Sequence, residues 1–379
     1  MLAKTESIMT HGAWIERAER VATEIADCAG VHDSDDSFVA EGFEALKREG
    51  FFSALVPAEF GGGGASTATV CEAIRLIARA CSSTALAFSM HSHVVAVAAW
   101  RHKHMGAPTE GLLKRVAAED LVLVSSGGGD WLASGGMAEK VEGGFRITAR
   151  KPFASGSAVG DLLNTSALYE DPEAGPTVLH FAVPLTAEGV RIEPTWQVLG
   201  MRGTGSNDVV LEGVFVPDAA IGGRRPAGEW HMLFHVISKM AFAFIYSAYL
   251  GVAEAARDLA IEAASKRAPN PFAAQLAGEM DNALLLARLA NAEAISLAED
   301  AEPGPQTTSA AMQCRQLTGQ YAIAAVEKAL ELAGGSAFYR KNTLERLFRD
   351  IQAARFHPLT EKPQLDLTGR VALGWPLDA

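Results

Sequence analysis

The sequence predicts an α+β fold in which helices flank a central β region. Two observations carry that reading. Helical periodicity fills both ends of the chain, and the short alternating runs gather between them. A third supports it. No GxGxxG opens a helix after a strand, so the alternating βαβ pattern of a nucleotide-binding sheet is not indicated.

The elements follow in order. In the first stretch, "FVAEGFEALKREGFF" places Phe38, Gly42, Ala45 and Leu46 on one stripe with charges opposite. "LVPAEFGGGGAS" then breaks regular structure at Pro57 and Gly61–Gly64, and Ser66 is suited to open the next helix. "TATVCEAIRLIARACSSTALAFSMHSHVVAVAAW" resumes the helical period. Near residue 119 the pattern changes. "VEGGFRITARKPF" carries a glycine turn followed by alternation, with Phe145, Ile147 and Ala149 on one face and Arg146, Thr148 and Arg150 on the other. "TVLHFAVPL" and "NDVVLEGVFVP" are further β runs, ended by Pro184 and Pro217. From His231 helices return, and "TGQYAIAAVEKALELAGG" stops at Gly334-Gly335. The expected division is a helical domain over 1–118, a β domain over 119–230 and a helical bundle over 231–379.

Composition narrows the function. The chain has 379 residues, 49% hydrophobic and 21% charged, within the range of soluble globular proteins. A net charge of −12 argues against nucleic acid or an anionic membrane as partner. The apolar run from Met240 contains Glu254 and is rich in small residues, so it reads as a buried helix. No secretion signal opens the sequence. Cys28, Cys71, Cys81 and Cys314 lack CxxC spacing, which points to neither a disulfide framework nor a metal site, and fits a cytoplasmic protein.

With these segments in place, the chain resembles the acyl-CoA dehydrogenase superfamily over nearly its whole length. "GFFSALVPAEFGGGGAS", "RITARKPFASGS", "LGMRGTGSNDVVLEGVFVP" and "ALELAGGSAFYRKNTLERLFRD" resemble four of its motifs in the right order. The resemblance implies an N-terminal helical domain, a β-barrel-like middle, a C-terminal four-helix bundle, a homotetramer and a flavin, FAD or FMN and most often FAD. It implies flavin contact at Phe153, Ala154 and Ser155. From the residues alone, the favoured reading is Phe153 as core and Ser155 as a turn residue. The resemblance further implies that Arg267 and Phe272, with Gln275 just after, clamp a pyrophosphate across subunits. It implies that Gly334 and Gly335 let the cofactor approach the backbone, and that Thr360 and Gln364 lie near the flavin.

Two departures redirect the chemistry. "SSGGGDWLASGG", residues 125–136, replaces the family's loop before the hairpin. The dehydrogenase base is missing at both of its usual places, held here by Pro358, after His357, and by Ala241. Removing a proton from an α-carbon needs a positioned carboxylate. The reading favoured is therefore the two-component monooxygenase branch, fed reduced flavin by a separate reductase and acting on a small aromatic, sulfur or amine substrate. Ser155 would meet the flavin N5/O4 edge. His357 would serve as base on the substrate or as donor to flavin-bound oxygen, and His91 as a secondary pocket group. Two alternatives stay open: a dehydrogenase with a displaced base, Glu361, and a catalytically silent flavin-fold binding subunit.

Overall fold

The structure, a computed structural model, describes residues 9–126 and 132–378. Helices α1 (His11–Ile25), α2 (Cys28–Asp35), α3 (Ala40–Arg48), α4 (Thr67–Ala80), α5 (Ser82–Met105) and α6 (Glu110–Glu119) precede the sheet. Gly61, with φ +87°, and Gly64, with φ +61°, make the break before α4. The Ser66 hydroxyl accepts from Thr69 N at 3.1 Å and caps that helix. The stripe on α3 differs from expectation at one position. Gly42, Ala45 and Leu46 are buried on the helix, but Phe38 precedes it.

Eight strands follow: β1 (Leu123–Ser125), β2 (Met137–Val141), β3 (Gly144–Ala154), β4 (Leu162–Asp171), β5 (Gly175–Pro184), β6 (Val190–Glu193), β7 (Asn207–Pro217) and β8 (Ile221–Pro226). They form one sheet in the order β6-β7-β3-β2-β4-β5-β8, with β1 parallel to β4. β2 and β3 are a hairpin closed by Glu142 and Gly143, the latter at φ +76°. Along β3 the side chains alternate as the sequence predicts, with Phe145, Ile147 and Ala149 buried and Arg146, Thr148 and Arg150 exposed.

The C-terminal bundle is α7 (Met232–Ser265), α8 (Pro271–Asp300), α9 (Pro305–Ala333), α10 (Thr343–Ile351) and α11 (Glu361–Leu373). α7 is long and apolar enough to cross a membrane, yet nearly all of its apolar stretch is buried, packed by α4, α5, α8 and α9. Helices from both ends of the chain share one hydrophobic core, whereas the sheet has its own. The loop 200–206 joins the sheet to the bundle, because Asp350 of α10 accepts from Met201 N at 2.5 Å.

Candidate functional site

The end of β3 presents a flat apolar wall. Its pairing with β7 shifts register between Lys151 and Ala154, and Phe153 takes a left-handed φ of +59°. That turn throws the phenyl ring outward, 58% exposed, edge-on to Trp196 at 6.0 Å. Ala154 is fully buried and Ser155 is 9% exposed, its hydroxyl 2.7 Å from Ser206 Oγ. An exposed aromatic face beside a hydroxyl suits a planar ring with a polar edge, so these residues fit a flavin.

A second group of side chains converges from α5, α7, α9 and the segment after α10. Tyr249 Oη lies 2.6 Å from His357 Nε2. Tyr246 donates to the Ala354 carbonyl at 2.8 Å, and Arg315 Nη2 donates to the His357 carbonyl at 2.6 Å. Arg315 is 1% exposed, its Nε has no partner, and its guanidinium lies over Tyr246 at 5.3 Å. Among the described residues no carboxylate pairs with it.

Burial, reinforced by the Arg315 charge, lowers His357 to about 3, and burial pushes Tyr246 up to about 12 and Tyr249 well above its ordinary value. Near neutral pH the imidazole is therefore uncharged and both phenols keep their protons. Where the Tyr249 O–H donates to Nε2, His357 carries its own proton on Nδ1; where Nε2–H donates to Tyr249 Oη, Nδ1 is the bare nitrogen. The first tautomer offers a donor on Nδ1 and the second an acceptor there.

The two histidines of α5, His91 and His93, differ in how their ring nitrogens are used. His91 is 1% exposed; its Nε2 donates to the Phe52 carbonyl at 2.8 Å, and its Nδ1 accepts from Leu123 N at 3.0 Å. Nδ1 ties α5 to β1 and Nε2 ties it to the turn at Phe52, so both nitrogens of His91 are engaged. His93 keeps one free. Its Nδ1 donates to the Ser89 carbonyl at 3.3 Å, which leaves Nε2 as a bare acceptor, and it lies near enough for its charge to act on His357. Burial lowers it to about 4. Sequence reasoning also passed over Tyr249 and Arg315, which lie inside helices that read as plain core.

The remaining expected residues are placed as follows. Arg267 donates to the Leu332 carbonyl of its own chain, beside Gly334, which has φ +76°. A Cβ on Gly335 would meet nothing within 4 Å. Phe272 is 77% exposed, and Gln275 donates to Glu279 at 3.2 Å. Thr360 is exposed at the start of α11. Gln364 is buried, with Nε2 on Thr368 at 2.8 Å and Oε1 lacking a donor. Of the loop 125–136, residues 127–131 lie outside the described residues.

No carboxylate among the described residues stands ready as a base. Ala241 is buried apolar surface. Asp350 is buried, and its two oxygens accept from Met201 N and the Ser82 hydroxyl. Glu254 is held by three arginines. Glu361 is exposed in the first turn of α11.

Comparison with known proteins agrees with this architecture. The profile for the acyl-CoA dehydrogenase N-terminal domain matches residues 11–104, and that for the C-terminal domain matches 243–362. The putative acyl-CoA dehydrogenase YdbM of Bacillus subtilis is 30% identical over 370 residues, spanning 91% of this chain and 92% of that protein. Amino sugar nitrososynthase RubN8 of Streptomyces rubradiris is 30% identical over 373 residues, spanning 92% and 87%. KijD3, solved in complex with FMN and a dTDP-linked 3-amino-4-keto sugar, superposes with a TM-score of 0.88 at 27% identity, covering 98% of this chain and 95% of that one. The chain belongs to the acyl-CoA dehydrogenase family and is a flavin-dependent oxidoreductase.

Proposed function

We propose, taking that membership as the premise, that this chain is the oxygenase of a two-component flavin monooxygenase. Its substrate in this reading is a small molecule with a nucleophilic nitrogen. Reduced flavin, when bound, would supply the two electrons that activate O2, so that one oxygen atom passes to the substrate and the other leaves as water. The observation that carries the reading is the cluster of Arg315, His357 and Tyr249: a buried cation and a neutral imidazole, with no carboxylate among the described residues to take a carbon-bound proton.

The residues divide the work. Phe153 and Trp196 form the wall that keeps water from the flavin face. His357 Nδ1–H donates toward the oxygen being transferred. His93 Nε2 accepts the proton that the nitrogen releases as its bond to oxygen forms. The positive charge of Arg315 disfavours a bound ammonium, so the amine enters neutral, with its lone pair available. Amine chemistry is further supported by the amino sugar relatives.

We also propose that FMN suffices, in place of the FAD that the resemblance made the first expectation. FMN occupies the KijD3 complex, and Arg267 here is engaged by its own chain. Phe272, Phe338 and Tyr339, all more than half exposed on the bundle, fit a homotetramer in which other copies cover them.

The test supplies anaerobically reduced FMN and then 18O2 with a panel of primary amines, phenols and thioethers. One heavy oxygen in the product, on nitrogen, is expected. A second reading, dehydrogenation of an acyl thioester, is favoured by the similarity to YdbM. It is supported instead if acyl-CoA bleaches the oxidised flavin without added reductant and no product carries 18O. A protein that binds neither FMN nor FAD sinks both.

A further inference from the structure

Three hydroxyls run inward from the wall at the end of β3. Ser155 Oγ lies 2.7 Å from Ser206 Oγ, and Ser206 Oγ lies 2.8 Å from Thr204 Oγ1. Thr204 Oγ1 donates to the Met201 carbonyl at 2.9 Å. All three are buried: Thr204 is 0% exposed, Ser206 4% and Ser155 9%.

A carbonyl only accepts, and each hydroxyl has one hydrogen to give. The Met201 carbonyl therefore orders the row. Thr204 gives its hydrogen to that carbonyl and accepts from Ser206; Ser206 accepts from Ser155. Ser155 is left with lone pairs facing outward. The reverse order leaves the Ser155 hydrogen without a protein acceptor and makes one bond fewer.

The local fold holds this arrangement. Met201 and Gly205 both take left-handed φ values, +56° and +53°, and bend 201–206 into a tight loop. Gly203 and Gly205 admit no side chain there, since a Cβ would come within 2.7 Å of Val39 and 2.8 Å of Phe38. The Gly156 amide donates to the Thr204 carbonyl at 2.9 Å, and Ser157 Oγ to the Gly205 carbonyl at 3.0 Å, so the loop is tied to the turn that carries Ser155. Trp196 Nε1 also donates to the Met201 carbonyl, which links the same atom to the aromatic wall.

We propose that Thr204 and Ser206 are positioning residues that hold the Ser155 hydroxyl as an acceptor, so that the site prefers reduced over oxidised flavin. The inference rests on the reading that Ser155 meets flavin N5. In oxidised flavin that nitrogen is a bare lone pair and asks for a donor; two-electron reduction adds a hydrogen, which asks for an acceptor. An oxygenase that receives its flavin reduced and must release it oxidised gains from this bias.

The experiment measures dissociation constants of oxidised and anaerobically reduced FMN for the full chain and four variants. Thr204→Val and Ser206→Ala are expected to shift the oxidised-to-reduced affinity ratio toward the oxidised form by about three- to tenfold, a fall of up to about 30 mV in the bound potential. Thr204→Ser, which keeps the hydroxyl, is expected to retain the wild-type ratio. Circular dichroism and the melting temperature check folding of each variant. If Ser155→Ala changes the ratio while Thr204→Val and Ser206→Ala leave it at the wild-type value, the relay is overturned and the flavin placement stands. If Ser155→Ala also leaves the ratio unchanged, Ser155 does not meet N5, and both the placement and the relay fall.

Discussion

Glu254 on α7 and Arg315 on α9 are buried charges in the same helical bundle, and the fold treats them in opposite ways. Glu254, 3% exposed, receives Arg75 at 3.0 Å, Arg288 at 2.9 Å and Arg79 at 3.7 Å. Arg315, 1% exposed, has carbonyl, amide and aromatic neighbours and, among the described residues, no counter-charge. A buried charge without a partner costs several kcal/mol, so the folded state retains it only where something offsets that cost. The contrast separates a charge that joins helices through three arginines from one that is held by a backbone carbonyl and aromatic rings. Arg315 donates to the His357 carbonyl, and its charge adds to the burial that keeps the ring neutral.

The sharpest test of the contrast is Arg315→Met. Product formation is expected to fall by about 10²-fold, while the melting temperature stays level or rises, because an apolar side chain of similar volume removes a desolvated charge. A large loss of stability with unchanged turnover would reverse the roles assigned to the two charges. Glu254→Gln is expected to do the opposite. It should lower stability by ~1–3 kcal/mol, tempered because the three arginines reach water, and leave kcat within about twofold; urea unfolding and steady-state kinetics read both.

Smaller effects refine the picture around His357. Tyr249→Phe removes the hydrogen bond that fixes the tautomer, and turnover is expected to drop by about tenfold with little change in stability. His91→Gln and His93→Gln should divide cleanly, the first lowering the melting temperature and the second lowering turnover. The pH dependence tests four histidines with lowered values together. His91 and His93 are lowered to about 4, and His180 and His357 to about 3, from an ordinary 6.5. Between those values the unfolded chain binds more protons than the folded one, so stability falls as pH drops from about 6.5 toward 4 and is flat above. Turnover should show no histidine titration between pH 5 and 8. A clear inflection near 6.5 would mean that His357 is solvated and charged in the working enzyme.

Much of this was legible from residues alone, for reasons tied to local physics. The Ser66 cap, the Gly334 stop and the alternation of β3 depend on neighbours within a few residues, and each stands where the sequence put it. Also legible was that the two usual places of the base, held by Pro358 and Ala241, carry no acid whatever the fold. The histidines were not. His91 and His93 are two residues apart on one helix, so they point to different sides, and only the packing around α5, with Phe52 and β1 on the His91 side, decides which nitrogens are consumed.

What the sequence determined by itself is the order of elements and the family, because periodicity, turn chemistry and residue type act over short distances along the chain. The tertiary structure alone decided which groups are donors and which are acceptors. Tyr249 and His357 are 108 positions apart, Ser155 and Ser206 are 51, and Arg315 and His357 are 42. A hydroxyl or an imidazole has no fixed polarity until its partner is in place, and those partners come from segments that meet only when the helices and the sheet have packed.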